Sequence, residues 1–185
     1  MAEFPDHPFW DFSLDVYMSD GVGTACLELQ DAHELDVNVL LFCLWCGASG
    51  RGALTAAEMK TVTDSVYAWH HDIVRALRAV RTLMKGGMEP APADLAESLR
   101  QRIQKTEIDC EHTEQLMLAA AIETTADDTR ADDLRLADAV SNVSQYFQSF
   151  GAKASAQDRQ NIAVMLGVAF RQLGPADITA ACDRM

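Results

Sequence analysis

The most apolar stretch of the chain is Asp36-Val37-Asn38-Val39-Leu40-Leu41-Phe42-Cys43-Leu44-Trp45-Cys46-Gly47. An acidic residue opens it and a glycine closes it, and these residue types are typical of the two ends of an α-helix. The Asp36 carboxylate can accept hydrogen bonds from the free amide N–H groups of the first turn, where negative charge is also favoured. We therefore predict a central, buried helix over about residues 36–47.

Apolar residues recur at helical spacing on both sides of this stretch. Helix-capping signals lie at Thr55-Ala56-Ala57-Glu58 and Ser155-Ala156-Gln157-Asp158, and no segment of the sequence has the sustained period-two pattern of strands. The sequence thus predicts an all-α fold, a single globular helical domain over residues 1–185 with about eight helices around the central apolar helix. Residues 125–133 are predicted to form an acidic linker that leads to a C-terminal helical hairpin over residues 134–185.

The overall composition limits the classes of function. Of the 185 residues, 49% are hydrophobic and 23% are charged, which is typical of a soluble globular protein, and the net charge is −13. This negative balance argues against nucleic-acid binding by direct phosphate contact, which requires clustered Lys and Arg. No run reaches the roughly 18 apolar residues of a membrane span, and the N-terminus lacks the features of a signal peptide. Five cysteines without a disulfide-scaffold spacing favour reduced thiols, so we expect a cytoplasmic protein.

Basic residues are concentrated in the middle of the chain. Residues 1–50 contain nine acidic side chains and no Lys or Arg, whereas residues 51–105 contain nine basic and six acidic side chains. The middle segment includes a stripe of four basic residues, Arg75, Arg78, Arg81 and Lys85. Steps of three or four residues place them within about a third of one helix surface. The stripe can pair with the acidic N-terminal segment, or it can bind an anion, since Arg holds phosphate or carboxylate with two parallel hydrogen bonds.

A polar group surrounds the start of the central helix, and it consists of Gln30, Asp31, Asp36 and Asn38. A buried amide such as that of Asn38 needs hydrogen-bond partners, because leaving it unpaired costs about 1–3 kcal/mol. These residues can fix the turn between the second and third predicted helices. Alternatively, they line a polar pocket that faces Arg78 and holds an anionic ligand or a peptide carboxylate.

The Cys43-Leu44-Trp45-Cys46 motif is open to three interpretations. A redox pair depends on a helix N-terminus that lowers the pKa of its first thiol, whereas this motif lies late in its predicted helix. A structural zinc site would need two further ligands. Because buried cysteine behaves as a small apolar residue, core packing is the simplest interpretation, and redox and metal roles stay open.

Three glutamates lie on one arc of a long predicted helix, namely Glu107, Glu111 and Glu114, with His112 nearby. The chain has no Glu-x-x-His motif of the kind that four-helix di-iron proteins use, so we interpret the arc as a solvated or ion-paired helix face. The adjacent His70 and His71 point in different directions, and we assign them no role.

Several segments together resemble a family of small proteobacterial proteins of unknown function. They are Phe9-Trp10-Asp11-Phe12-Ser13-Leu14, Cys26-Leu27-x-Leu29-Gln30-Asp31, Asp36-Val37-Asn38-x-Leu40-Leu41-Phe42-Cys43-x-Trp45, the later Trp69, and Arg78-x-x-Arg81-x-x-x-Lys85. The resemblance covers about residues 8–120. It implies an all-helical fold and the bacterial cytoplasm, and it implies no catalytic residues.

These observations favour a cytoplasmic helical binding protein, a protein-interaction or regulatory factor without catalysis, whose partner is another protein or a second copy of the chain. The alternative is a small anionic-ligand binder or an enzyme that uses a pocket between the central helix and the helix carrying Arg75 to Lys85. A thiol or metal site is the remaining possibility. We expect no cofactor, no metal ligands and no membrane association.

Overall fold

The computed structural model describes residues 4–87 and 89–185, which contain helices, turns and loops. The helices are α1 Pro8–Tyr17, α2 Val22–His33, α3 Val37–Ala48, α4 Ala56–Trp69, a π-helical turn His70–Val74, α5 Arg75–Leu83, α6 Ala93–Ala121, α7 Asp132–Ser149, α8 Ala156–Ala169 and α9 Pro175–Cys182. Because α4, the π-turn and α5 form one continuous helix, the described residues contain eight separate helices. The predicted all-α fold and single compact domain are confirmed. Residues 1–3, part of the segment inspected for a signal peptide, lie outside the described residues.

Local sequence signals set the starts of three helices as predicted. The Asp36 side chain accepts a hydrogen bond of 2.8 Å from the Asn38 backbone N–H and so caps α3. Thr55 forms a reciprocal capping box with Glu58 at the start of α4, and the same motif opens α8. Each box satisfies backbone N–H groups that have no partner within the helix.

The central position of α3 follows from its continuous apolar surface. Every residue from Asn38 to Gly47 is buried, which requires neighbours on all sides of the helix. α7 packs along α3, and at their closest approach a Cβ built on Gly47 would lie 2.5 Å from the Ala139 Cβ. Only glycine permits this close contact. The Asn142 side chain of α7 also donates to the Cys43 carbonyl oxygen of α3 at 3.3 Å.

The C-terminal helices share their core with α3. Phe147 of α7 and Leu166 of α8 belong to the same buried cluster as Leu40 of α3. The loop before α7 contacts the turn after α3, where the Asp127 N–H donates to the Ser49 carbonyl oxygen at 3.2 Å. The division of the chain at residues 125–133 into two segments stays a prediction.

The long helix α6 runs antiparallel to the continuous helix formed by α4, the π-turn and α5. Trp69 Nε1 donates to the Cys110 carbonyl oxygen at 3.0 Å, and Arg78 Nε donates to Glu107 at 3.0 Å. α5 has no buried residue, so this end of the helix pair extends beyond the core. Among the described residues, no helix combines the length and the apolar character needed to cross a membrane.

Candidate functional site

Three buried ionisable side chains from separate helical elements meet beside the first turn of α3. Asp36 caps α3, His70 begins the π-turn, and Glu114 lies in the second half of α6. His70 Nδ1 is 3.1 Å from Asp36 Oδ2 and 3.1 Å from Glu114 Oε1. We call these three residues the buried cluster.

The π-turn positions His70. In this turn the Arg75 N–H donates to the His70 carbonyl oxygen, one residue further back than in an α-helix. The preceding Trp69 is fixed by its hydrogen bond to the Cys110 carbonyl oxygen, and the His70 ring lies against α6. π-turns occur frequently at functional sites, because they break the regular helical spacing to place a side chain.

Neutral polar groups hold the Glu114 carboxyl group and the backbone of Asp36 in place. Asn38 Nδ2 donates to Glu114 Oε2 at 2.7 Å, and Gln115 Nε2 donates to Asn38 Oδ1 at 2.9 Å. The Asp36 backbone N–H donates to the Tyr146 hydroxyl oxygen at 2.8 Å. The partners of the Asn38 side chain, left open by the sequence, are therefore Glu114 and Gln115 of α6.

One oxygen of the buried cluster has no hydrogen-bond donor when both carboxyl groups are ionised. Nδ1 of His70 carries at most one hydrogen, yet it faces carboxyl oxygens of both Asp36 and Glu114. Asp36 Oδ2 is fully enclosed, and among the described residues it has a hydrogen-bond donor only when the Glu114 carboxyl group carries a proton or Asp36 itself does and donates to Glu114. A buried carboxyl oxygen in this position is unfavourable unless a proton or a cation compensates it.

Burial shifts the ionisation of all three groups. It raises the pKa of Asp36 to about 7, with a further contribution from the nearby Glu114 carboxyl group. It also raises the pKa of Glu114 to about 7. Burial lowers the pKa of His70, against the opposing effect of the Asp36 charge. The imidazole is therefore favoured in its neutral form, and the two carboxyl groups compete for a proton near neutral pH.

Two cavities adjoin the buried cluster, and His70 lines both of them. The first, which we call the α3–α7 cavity, has a volume of about 530 Å³ and lies between α3, α4 and α7. The second, the α2–α5 cavity, has a volume of about 630 Å³. Asp36 also lines the α3–α7 cavity, so two of the three cluster residues border it.

Four of the predicted site residues line the α2–α5 cavity, namely Gln30, Asp31, Arg75 and Arg78. Asp36 and Asn38 lie instead at the buried cluster. The other two predicted residues are Arg81 of α5, described below, and Lys85, which is exposed just after α5. The structure thus distributes the predicted polar group and basic stripe over neighbouring but distinct locations.

Two of the four residues of the basic stripe pair with glutamates of α6. Arg78 donates to Glu107 at 3.0 Å, to Glu111 at 2.6 Å, and to the Gln30 side-chain oxygen. Arg81 donates to both carboxylate oxygens of Glu107. The predicted ion-paired helix face is confirmed for these two glutamates. Among the described residues, the stripe's pairing with the acidic N-terminal segment is that of Arg75, whose guanidinium lies 4.0 Å from Glu34.

The sequence did not indicate His70 and Glu114 as site residues. We assigned His70 no role, and we placed Glu114 on a solvated or ion-paired face, whereas its side chain is fully buried. The available signal was the unpaired polar group at Asn38, which required a partner elsewhere in the chain. The identity of this partner depends on the packing of α6 against α3, which the sequence pattern does not specify.

The cysteines of the Cys-x-x-Cys motif pack as apolar side chains. Cys43 and Cys46 are free and buried. Burial raises the pKa of Cys46 to about 12 and raises that of Cys43 well above its usual value. Both thiols are therefore protonated at neutral pH, which favours the core-packing interpretation over a redox role.

The fold and site together define an all-helical domain with a buried carboxylate–histidine cluster open to a cavity. The model of a family described as "Protein of unknown function (DUF2390)" matches residues 8–118, and the chain belongs to that family. This match includes α1 to α5 and most of α6, and therefore all three residues of the buried cluster. No curated protein and no solved structure gives a significant match to the chain.

Proposed function

We propose that the protein is a ligand-binding protein and that the α3–α7 cavity is its binding site. The observation that carries this proposal is the position of the buried cluster, because Asp36 and His70 line this cavity. Its volume of about 530 Å³ lies in the range of about 300–1,000 Å³ that is typical of small-molecule sites. Buried ionisable groups with shifted pKa values at the edge of a cavity are enriched at functional sites.

The cavity lining defines the chemistry of the ligand. Asp36, His70 and the Tyr146 side chain supply polar groups at one side. The apolar lining includes Leu35, Val39, Val66 and Phe150, and charged side chains also border the cavity, namely Glu34, Lys60 and Asp64. A small molecule with one polar end and an apolar body satisfies both surfaces, since the apolar part gains burial and the polar end gains hydrogen bonds.

A cavity-filling substitution tests the proposal. Thr63 lines the cavity and Thr61 does not, although both lie in α4 and donate to a carbonyl oxygen four residues earlier. We expect some members of a panel of amphiphilic metabolites to raise the melting temperature of the wild-type protein. Thr63→Trp should abolish this shift and Thr61→Trp should preserve it. Equal shifts in the two variants would contradict the assignment of the cavity.

The predicted protein–protein interaction is supported by a different surface. Four large apolar side chains are exposed on α5 and the first half of α6, namely Val80, Leu83, Leu95 and Leu99. Leu83 is 67% exposed and Leu95 is 59% exposed. Exposed apolar residues on a projecting helix pair are typical of association surfaces. In this second proposal, the surface binds a second copy of the chain or one other protein.

Sedimentation velocity at several salt concentrations tests self-association. We expect Leu83→Glu to shift the protein toward the monomer, because the new charge would be buried in the interface. Leu134→Glu is the matched control, since Leu134 is 49% exposed on α7, away from the helix pair. A wild-type protein that is monomeric throughout would exclude the homo-oligomer and leave a second protein as the partner.

We propose the bacterial cytoplasm as the compartment of this protein. The support comes from the five cysteines, all of which are free thiols and four of which are buried. Free thiols persist in reducing compartments, whereas secreted domains usually pair them. The net charge of −13 supports the further proposal that the protein does not bind nucleic acid through phosphate contacts. That the protein performs no catalysis also remains a proposal.

A further inference from the structure

The donor atoms of the buried cluster have the spacing of ligands to one metal ion. Asp36, His70 and Glu114 each offer one donor atom within 4.8 Å of the other two. His70 Nδ1 is 3.1 Å from Asp36 Oδ2 and 3.1 Å from Glu114 Oε1. Two donors separated by this distance can each lie about 2.1 Å from a shared ion at an angle of about 95°. Such a bond length is typical of first-row transition metals bound by nitrogen and oxygen, and the angle lies between the octahedral and the tetrahedral value.

The charge of the cluster favours a cation. Two carboxyl groups and one imidazole are buried together, and among the described residues no Lys or Arg forms an ion pair with Asp36 or Glu114. When both carboxyl groups are ionised, Asp36 Oδ2 points into the cluster without a hydrogen-bond donor among the described residues, although Asp36 is only 8% exposed. A divalent cation would compensate both carboxylates and occupy this lone pair, whereas a proton shared between Asp36 and Glu114 neutralises only one of the two.

The second oxygen of each carboxyl group is already held in place. Asp36 Oδ1 accepts from the Asn38 backbone N–H, and Glu114 Oε2 accepts from the Asn38 side chain. Each carboxyl group therefore directs its other oxygen toward His70. Outer hydrogen bonds of this kind orient metal ligands and are a regular part of metal sites.

We propose that Asp36, His70 and Glu114 bind one divalent transition-metal ion, with Zn²⁺ as the probe ion. A neutral imidazole and two carboxylates form a mixed nitrogen and oxygen ligand set that suits Zn²⁺. Three protein ligands leave a position for water or a ligand molecule, and the α3–α7 cavity reaches the cluster through Asp36 and His70. The inference goes beyond the proposed function and does not depend on it.

Metal uptake by the full chain tests this inference. The protein is stripped with EDTA, dialysed against excess Zn²⁺ and then against buffer, and its metal content is measured by inductively coupled plasma mass spectrometry. We expect about one Zn²⁺ per chain. His70→Gln and Glu114→Gln should retain little metal. His71→Gln is the matched control, because His71 is the adjacent histidine but bonds to the Tyr67 carbonyl oxygen.

Two further measurements make each outcome decisive. X-ray absorption at the zinc edge should show nitrogen and oxygen neighbours and no sulfur, which separates this site from the cysteines. Circular dichroism in EDTA reports whether each variant folds, and Asp36→Asn replaces any variant that does not, since Asn caps a helix as well as Asp. Three outcomes would each overturn the inference. They are wild-type protein that holds no metal after Zn²⁺ dialysis, unchanged Zn²⁺ binding by His70→Gln, and sulfur neighbours in the X-ray absorption spectrum.

The metal inference and the cavity proposal fail separately. Small molecules that raise the melting temperature of a protein unable to bind Zn²⁺ would leave the cavity proposal standing and remove the metal. If the protein binds stoichiometric Zn²⁺ but no small molecule raises the melting temperature of the Zn²⁺-bound protein, the metal inference stands and the cavity proposal is contradicted.

Discussion

Asn38 and Glu114 are 76 residues apart in the chain, and their side chains are joined by a buried hydrogen bond of 2.7 Å. The bond connects the first turn of the central helix to the second half of α6. It holds a fully buried carboxyl group in a fixed orientation toward His70. The polar residue that enters the apolar core of α3 is therefore part of the candidate site.

Removing this bond should weaken both stability and metal binding. We expect Asn38→Ala to lower the free energy of unfolding in EDTA by about 1–3 kcal/mol, because Glu114 Oε2 loses its donor. Zn²⁺ affinity should fall by about 10–100-fold, since the carboxyl group is no longer oriented. Urea unfolding and chelator competition measure the two effects. The exposed amide variant Gln157→Ala is the control and should match the wild type in both.

The buried carboxyl groups predict a pH dependence of stability in the metal-free protein. Burial and the Glu114 charge raise the folded-state pKa of Asp36 to about 7, compared with the usual aspartate pKa of 3.8. Between these values the folded protein holds a proton that the unfolded chain releases, so this group makes the fold less stable as pH rises. We expect Asp36→Asn to gain stability relative to the wild type as pH increases from about 4 to about 7.

Chemical denaturation in EDTA at several pH values measures this difference. Comparing the two proteins is necessary because the lowered pKa of His70 acts in the opposite direction, stabilising the fold as pH rises. If the difference in the free energy of unfolding between variant and wild type stays constant across this pH range, the pKa of Asp36 is not raised.

The contact between α3 and α7 predicts that one methyl group added at Gly47 destabilises the fold. We expect Gly47→Ala to lower the free energy of unfolding by about 1–3 kcal/mol, because the new Cβ would overlap Ala139. Gly167 of α8 provides the control, since a Cβ there meets no atom within 4 Å. Gly167→Ala should be neutral or stabilising by up to about 1 kcal/mol, because alanine favours helix. Thermal or urea unfolding compares the two, and equal effects would argue against the close crossing.

The ion-pair network of α5 and α6 should depend on Arg78. Its removal leaves Glu107, which is 4% exposed, with only Arg81, and leaves Glu111 without its guanidinium partner. We expect Arg78→Met to lower the free energy of unfolding by about 2–3 kcal/mol in urea titrations. Arg100→Met, which removes an exposed pair with Glu97, should leave the unfolding midpoint unchanged. Similar midpoints for both variants would contradict a stabilising role for the network.

The burial of the cysteines predicts low thiol reactivity in the native protein. Burial raises the pKa of Cys26 and Cys46 to about 12, and alkylation requires the thiolate. Cys110 is partly accessible, whereas the other four cysteines are buried. We expect iodoacetamide at neutral pH to modify no thiol except that of Cys110 in the native protein, and all five in denaturant. Mass spectrometry locates the adducts, and rapid native modification of Cys43 or Cys46 would restore a redox interpretation.

The parts of this structure that the sequence specified are governed by local interactions. The cap at Asp36, the capping box at Thr55 and the buried surface of α3 all depend on residues within a few positions of one another. Asp36 and Asn38 were also recognisable as site candidates, because polar groups entering an apolar helix need partners. These inferences required no knowledge of the tertiary structure.

The site residues that the sequence did not indicate, His70 and Glu114, depend on long-range packing. Glu114 has the same residue type and helical spacing as the exposed or ion-paired glutamates before it, and its burial follows from the position of α6 against α3. His70 was assigned no role because it adjoins His71, and adjacent side chains of a helix point in different directions. The π-turn that positions His70 leaves no clear trace in the spacing of apolar residues.

The π-turn also changes which side chains share a face of the continuous helix. In a regular α-helix, two residues eight positions apart, such as His70 and Arg78, differ in direction by about 80°. The turn absorbs about one extra residue and reduces this difference to about 20°, so both side chains reach α6. A regular α-helix of the same length would return the difference to about 80° and turn the two side chains apart. The π-turn thus sets the direction of the buried cluster relative to the ion-pair network on the same helix.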